Sequence, residues 1–219
     1  MCESGNTCQT TARRSTLSEW FFAKFWAKTH RSLEAKFRPT KERLFNGISG
    51  KVLEIGPGTG SNFQFYPKNI ELIAVEPNIH MHPYMKEEAV AQGLNVRIEH
   101  AFLEDLNIED ASLDAVVSTL VLCSVRDQEK AIRDILRILK PSGTFYFIEH
   151  VAATEGSMMR LAQGIVTPLW KRLADGCHPN RETWRTLEEA GFSKLEFVHE
   201  YVKTPFVLTN TLIHGRVTK

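Results

Sequence analysis

Long apolar runs are missing from this sequence. Nowhere in its 219 residues is there an unbroken apolar stretch of the ~18 residues that a membrane-crossing helix needs. The opening, MCESGNTCQTTARRST, is polar and lacks the apolar centre of a secretory signal. Cysteine is scarce: Cys2, Cys8, Cys123 and Cys177 stand apart without CxxC spacing. That pattern argues against a disulfide framework or structural zinc site and for a reducing, cytoplasmic setting. Neither sign of charge dominates, with 27 Lys+Arg against 26 Asp+Glu, so no overall basic surface points to nucleic acid. Repeats and low-complexity linkers are also absent. What remains is an ordinary globular balance, 42% hydrophobic and 24% charged, in a length that suits one domain with or without a cap.

Charge is nevertheless uneven. Residues 1–50 hold nine Lys/Arg against four Asp/Glu, and the rest of the chain holds 18 against 22. The basic part is aromatic as well. Three regions are expected: a disordered N-terminus over 1–15, an amphipathic helical cap over 16–48, and a main domain over 49–219 with a lid at about 157–190. The cap helix is read from a Ser15 or Ser18 N-cap to about Phe37. Phe22, Phe25, Trp26, Leu33 and Phe37 share one broad side, with Lys24, Lys28 and Arg31 opposite. Pro39 is expected to break it before a short helix over 40–47. Such a helix can lie on an anionic bilayer, which adds peripheral contact with an intracellular membrane to the cytoplasmic setting.

From residue 50 the pattern alternates. KVLEIG (51–56), IELIAVE (70–76), LNVRIEHA (94–101), LDAVVSTL (113–120) and GTFYFIEHV (143–151) read as short buried strands. Helical patterns separate them, clearest at 78–92 and 127–139. Residues 157–191 read as helical with a break near Gly176, and their apolar side chains pack as a cap on the sheet or as a lid. Residues 194–202 and 207–217 read as a closing hairpin. Strands alternating with helices predict an α/β fold: a Rossmann-like, seven-stranded, mostly parallel sheet with helices on both faces and a helical cap.

The chemistry is concentrated in Val52-Leu53-Glu54-Ile55-Gly56-Pro57-Gly58-Thr59-Gly60. Three glycines between a strand and a helix allow a tight turn and let a ligand approach bare backbone. Ser61 and Asn62 break the GxGxxG spacing that seats a pyrophosphate. Twenty residues past Gly56, Glu76 ends the second strand, where an acid can hold both hydroxyls of a ribose. The site therefore reads as one for a nucleoside without phosphate.

With the Lys140-Pro141-Ser142-Gly143 helix stop, residues 50–151 resemble the class I S-adenosylmethionine-dependent methyltransferases. The resemblance implies S-adenosyl-L-methionine as cofactor, with Gly56, Gly58 and Gly60 at the turn, Pro57 and Pro77 beside the site, and Glu76 on the ribose. It places Glu54 near the methionyl amino group, Leu103 and Glu104 near the adenine, and Thr119 and Leu120 near the methionine portion. Phe102 stands where family members often have an adenine-binding Asp. Asn62-Phe63-Gln64-Phe65-Tyr66-Pro67, Thr119–Val125, Phe145–Ala152 and Asp175-Gly176-Cys177 narrow the resemblance to the methyltransferase-like seven group of alkyl thiol S-methyltransferases. That group usually begins with a hydrophobic segment holding it on the endoplasmic reticulum or lipid droplets. This N-terminus is amphipathic and charged instead.

Methyl transfer from a sulfonium needs in-line alignment more than acid–base help, and a thiol of pKa near 8.5 is already partly ionised at neutral pH. Glu149 and His150, at the carboxyl end of the fifth strand, are the candidate catalytic residues, and strand alternation turns only one of them to the cleft. Cys123 and Cys177 read as buried apolar cysteines. His178 beside Cys177, and His80 with His82, lack further spaced ligands, so no metal is expected. Asp175 and Arg181 read as an ion pair across the 176–180 turn. The expected partner is a small, fairly apolar acceptor, a thiol by resemblance, and not nucleic acid. The oligomeric state is left open. O-, N- or C-methylation of a metabolite or lipid stays open, as does a scaffold that binds the cofactor without catalysis.

Overall fold

The computed structural model describes residues 16–174 and 176–219, apart from the side chains at 16 and 30–32. The expectations for residues 1–15, including the Ser15 cap, Cys2 and Cys8, and the Asp175 side of the Arg181 pair lie outside the described residues.

Seven strands form one sheet: β1 (Lys51–Ile55), β2 (Glu71–Val75), β3 (Val96–Glu99), β4 (Leu113–Thr119), β5 (Leu139–His150), β6 (Lys194–Tyr201) and β7 (Thr211–Thr218), in the order β3-β2-β1-β4-β5-β7-β6. The first five run parallel, and β7 pairs antiparallel with both β5 and β6. The chain works outward from β1 to β3 and then returns to the other side of β1 at β4. The carboxyl ends of β1 and β4 therefore flank the switch point, where open α/β sheets bind ligands.

Strand alternation sorts the core. Leu53 and Ile55 of β1 join Val116, Phe145, Phe147 and the buried side of α3 (Gln128–Ile138), together with Leu187 of α5 (Thr183–Glu189). Val52 faces the other way, with Leu72, Ala74, Val117, Phe45, Phe63, Tyr66 and the buried residues of α2 (His82–Gln92). Helices thus cover both faces, as the strand–helix alternation predicts.

β5 starts earlier than the apolar run from Gly143 indicates. Leu139 pairs with Leu113, and the register then shifts so that Thr144 meets Ala115. The four residues 140–143 form the irregularity, with Ser142 at φ +66°.

Pro39 does not end the N-terminal helix. α1 is continuous from Thr16 to Leu44 with Pro39 inside it. Phe37, Thr40 and Lys41 are buried around the proline, and Phe37 packs with Ile148 and Leu212. Packing against the sheet outweighs the missing backbone bond. The inward side keeps Trp26, Leu33 and Phe37 of the expected stripe, but Phe25 is exposed with Leu17 and Phe21.

α4 (Met158–Leu173) differs from expectation more sharply. Most of its apolar residues stay exposed, with Met159, Val166 and Trp170 only half-buried. Met158, Leu161, Ile165, Leu169 and Leu173 are exposed, while Gln163 and Thr167 are buried. The Gln163 amide accepts from Ala153 N at 2.8 Å and donates to Leu208 O at 2.9 Å. Fastening two otherwise open backbone groups fixes the helix with its polar side inward.

Candidate functional site

The glycine turn leaves the carboxyl end of β1. Its three glycines all have positive φ, +57°, +58° and +81° at Gly56, Gly58 and Gly60. A Cβ on Gly56 would lie 2.6 Å from Val121 Cγ2, and one on Gly60 2.9 Å from the Phe63 ring, so these two positions exclude side chains on space as well as on φ. The turn does not present bare amides. Gly56 N–H donates to Val75 O at 2.8 Å, Gly60 N–H to Pro57 O at 2.9 Å, and Gly58 N–H to Glu76 Oε2 at 3.0 Å. The glycines act through conformation and close approach, because the turn uses its own donors to hold its shape.

Glu76 follows β2 and is nearly buried. Its other oxygen accepts from Asn78 N at 2.8 Å. Burial lifts its carboxyl to about 7, opposed by the two backbone bonds. Each oxygen keeps a second lone pair for a ligand hydroxyl. Pro77 O and Glu76 O are tied to His100 and His82 at 2.9 Å each, which gives His82 a structural task.

Glu54 projects from β1 on the α2 side. Asn62 Nδ2 donates to its Oε1 at 2.7 Å and the Tyr66 hydroxyl to its Oε2 at 3.0 Å. Burial pushes Glu54 up to about 7, against those bonds and the nearby charge of Lys41. Lys41 is itself buried and ion-paired with Glu34 at 2.7 Å. Burial draws its ammonium down from the usual range. Asn62 Nδ2 also reaches Thr119 Oγ1 at 3.0 Å, joining the ends of β1 and β4. The resemblance puts Glu54 near the methionyl amino group and gives Asn62 no role of its own. In the structure Glu54 stands behind Asn62, whose Oδ1 is buried and unpartnered, as is Thr59 Oγ1. Two orphaned acceptors beside a glycine turn fit a polar ligand that carries its own donors.

Leu120, immediately after β4, has φ +61°, costly for a leucine, and its N–H is held by Ile148 O at 2.8 Å. After β3, Leu103 turns into the core, and Glu104 is only partly covered. Phe102 is exposed with the Arg126 guanidinium 5.4 Å from its ring centroid. The loop thus offers an aromatic face where an Asp is common in similar proteins. Above the turn, α1 brings Trp26 to where its indole Nε1 would lie 3.7 Å from a Cβ placed on Gly58, and Glu19 O accepts from Asn78 Nδ2 at 3.0 Å.

At the end of β5 the two candidate catalytic residues separate. Glu149 is fully buried, accepting from Ser118 Oγ at 2.5 Å, Val121 N at 3.1 Å and Cys123 N at 3.3 Å. Burial raises its carboxyl despite those bonds. It fixes the loop after β4 and does not face the cleft. His150 is half-buried, and its Nδ1 lies 3.9 Å from Cys123 Sγ and 3.8 Å from Cys177 Sγ. Both cysteines are free and buried. The Cys123 thiol draws Cys177 below the usual thiol range, while its bond to Cys177 and burial push Cys123 up. Spacings of 27 residues on either side of His150 hid this grouping from the sequence. Arg181 donates to Leu122 O and Val125 O, at 2.5 Å each.

The methyltransferase-domain family matches residues 53–147. Human thiol S-methyltransferase TMT1A is 36% identical over 91% of this chain and 85% of its own length, and rat thiol S-methyltransferase TMT1B is 36% identical over 87% and 80%. Among solved structures, an S-adenosylmethionine-dependent methyltransferase from Thermotoga maritima superposes with a TM-score of 0.63 at 19% identity, covering 91% of this chain and 99% of that one. That likeness is one of fold. Glycine turn, strand-end acids and relatedness together make this chain an S-adenosylmethionine-dependent methyltransferase that belongs to the TMT1 family of thiol S-methyltransferases.

Proposed function

We propose that this enzyme methylates a small, fairly apolar thiol, with Glu76 on the ribose, Asn62 backed by Glu54 and Thr119 on the methionyl amino group, and Phe102, Leu103 and Glu104 beside the adenine. Bound S-adenosylmethionine supplies a methyl group on a positive sulfonium, open to in-line displacement. The chain's own part is alignment and exclusion of water. The strained Leu120 and the loop fastened by Glu149 set the wall beside that methyl group, and Gly56 and Gly58 let the backbone come close.

One observation carries the choice of a thiol: at the end of β5 the buried Glu149 is not free to act as a base, and His150 has only Nε2 left for that task. Glu149 is occupied by three donors, and His150 Nδ1 faces two sulfurs. Sulfur is intrinsically the stronger nucleophile toward a sulfonium methyl group, so a thiol needs less help from a base than a phenol or an amine does. The test is labelled methyl transfer to hexanethiol, a phenol, a primary amine and phosphatidylethanolamine, read by mass spectrometry. S-methyl hexanethiol as the dominant product is expected. Dominant O- or N-methyl product, or cofactor binding without transfer, overturns the reading.

For α1, the reading is a peripheral contact with the cytoplasmic face of an intracellular membrane. Leu17, Phe21 and Phe25 are exposed near Lys24 and Lys28, which suits an anionic surface. No helix among the described residues is long and apolar enough to cross a membrane. Phosphatidylserine vesicles should pellet the parent more than a Phe21→Glu/Phe25→Glu variant; equal pelleting removes the contact.

A further inference from the structure

We propose that Cys123, His150 and Cys177 form a zinc site whose open fourth position takes the sulfur of the acceptor. This rests on the thiol reading above and adds how that thiol is ionised and aimed.

Sγ of Cys123, Sγ of Cys177 and a ring nitrogen of His150 all lie within 4.8 Å of one another. The sulfur–nitrogen separations are 3.9 Å and 3.8 Å, both to Nδ1. Metal–sulfur bonds of about 2.3 Å and a metal–nitrogen bond of about 2.0–2.1 Å, set tetrahedrally, put sulfur and nitrogen about 3.6 Å apart. The side chains therefore stand close to ligand positions without rearrangement. Two thiolates and an imidazole are a soft donor set that suits zinc, and three protein ligands leave one tetrahedral position.

The surroundings hold this geometry from behind. His178 N–H donates to Cys123 O at 2.8 Å, and Arg181 grips the carbonyls on both sides of Cys123, so the loop after β4 is clamped to the loop after α4. Glu149 fixes Cys123 N. Such outer bonds orient metal ligands. The site is also in the right place: Val121, two residues before Cys123, packs against Gly56 of the glycine turn. His150, the half-buried member, gives the cluster its side toward solvent, while both cysteines are buried.

The step balances without a redox change. Zinc uptake releases the two cysteine protons to solvent. The acceptor thiol binds the ion and loses its proton to water. Its sulfur lone pair then forms the S–CH3 bond as the sulfonium–CH3 bond breaks. The neutral thioether, a weak ligand, departs and water returns.

The test uses the full chain, dialysed against zinc under reducing conditions. One zinc per chain is expected, with X-ray absorption showing two sulfurs, and three after hexanethiol is added. Removing zinc with a chelator should lower kcat/KM for hexanethiol well over tenfold at pH 7, and the loss should shrink as the pH rises toward the alkyl thiol's own pKa, where the free thiol ionises unaided. A Cys123→Ser/Cys177→Ser variant that still binds S-adenosylhomocysteine should hold no zinc. Failure to take up zinc, uptake unchanged in the double variant, a sulfur count that stays at two, or a zinc-free enzyme of unchanged rate each overturns the site while leaving thiol methylation standing. Zinc uptake and a third sulfur together with methylation of phenol alone would instead overturn the thiol reading.

Discussion

Glu76→Gln removes a charge and almost no volume from the end of β2. In the parent, both oxygens already accept backbone N–H bonds, from Gly58 and Asn78, and burial holds the carboxyl at about 7. The remaining lone pairs are the ones a ribose diol would use. Hydrogen bonds to a charged acceptor contribute roughly 1.5–3 kcal/mol each, against roughly 0.5–1.5 for a neutral one. Losing the charge across two hydroxyls should cost about 2–3 kcal/mol, a 30- to 160-fold weaker Kd. The sign of the pH effect follows from the raised carboxyl. Donating hydroxyls favour the ionised form, so parent affinity rises with pH up to about 7 and flattens above it. The Gln variant has no such proton to lose. Calorimetric titration with S-adenosylhomocysteine between pH 6 and 8.5 should show the largest gap at pH 8, narrowing about tenfold by pH 6. Parallel profiles for the two proteins, or affinities within threefold at pH 8, would refute the placement of Glu76 on the ribose.

Glu54 lies near 7 in the folded protein against a usual value of 4.5. Its contribution is fully present below 4.5 and is lost as pH rises to about 7, about 3 kcal/mol in all. Glu54→Gln should flatten the urea-unfolding free energy over that window; an unchanged slope refutes the burial argument. Gly56→Ala must place a Cβ against Val121 at φ +57°, and should lower stability by about 2–4 kcal/mol. Adding Val121→Ala should recover part of that loss in thermal unfolding, and no recovery would locate the strain elsewhere. Arg181→Met leaves the Val125 carbonyl without its donor and the Leu122 carbonyl with Gln128 Nε2 alone. It should lower turnover while leaving S-adenosylhomocysteine affinity within threefold, since the clamp orders the acceptor side of the site.

Much of this molecule is written in local sequence. The succession of strands and helices along the chain, the alternation that divides Leu53 and Ile55 from Val52 and Glu54, the glycine turn and the acid twenty residues beyond it follow from periodicity, turn chemistry and short-range spacing, which act within a few residues. Three features were decided only by packing. α1 runs through Pro39 because burial of Phe37 and Lys41 on the sheet outweighs one missing hydrogen bond. α4 turns its polar side inward because Gln163 meets backbone groups from two other segments. Cys123, His150 and Cys177 meet because β4, β5 and the loop after α4 end at the same edge of the sheet. No window of sequence contains all three, and distance along the chain says nothing about distance in space until the fold is closed.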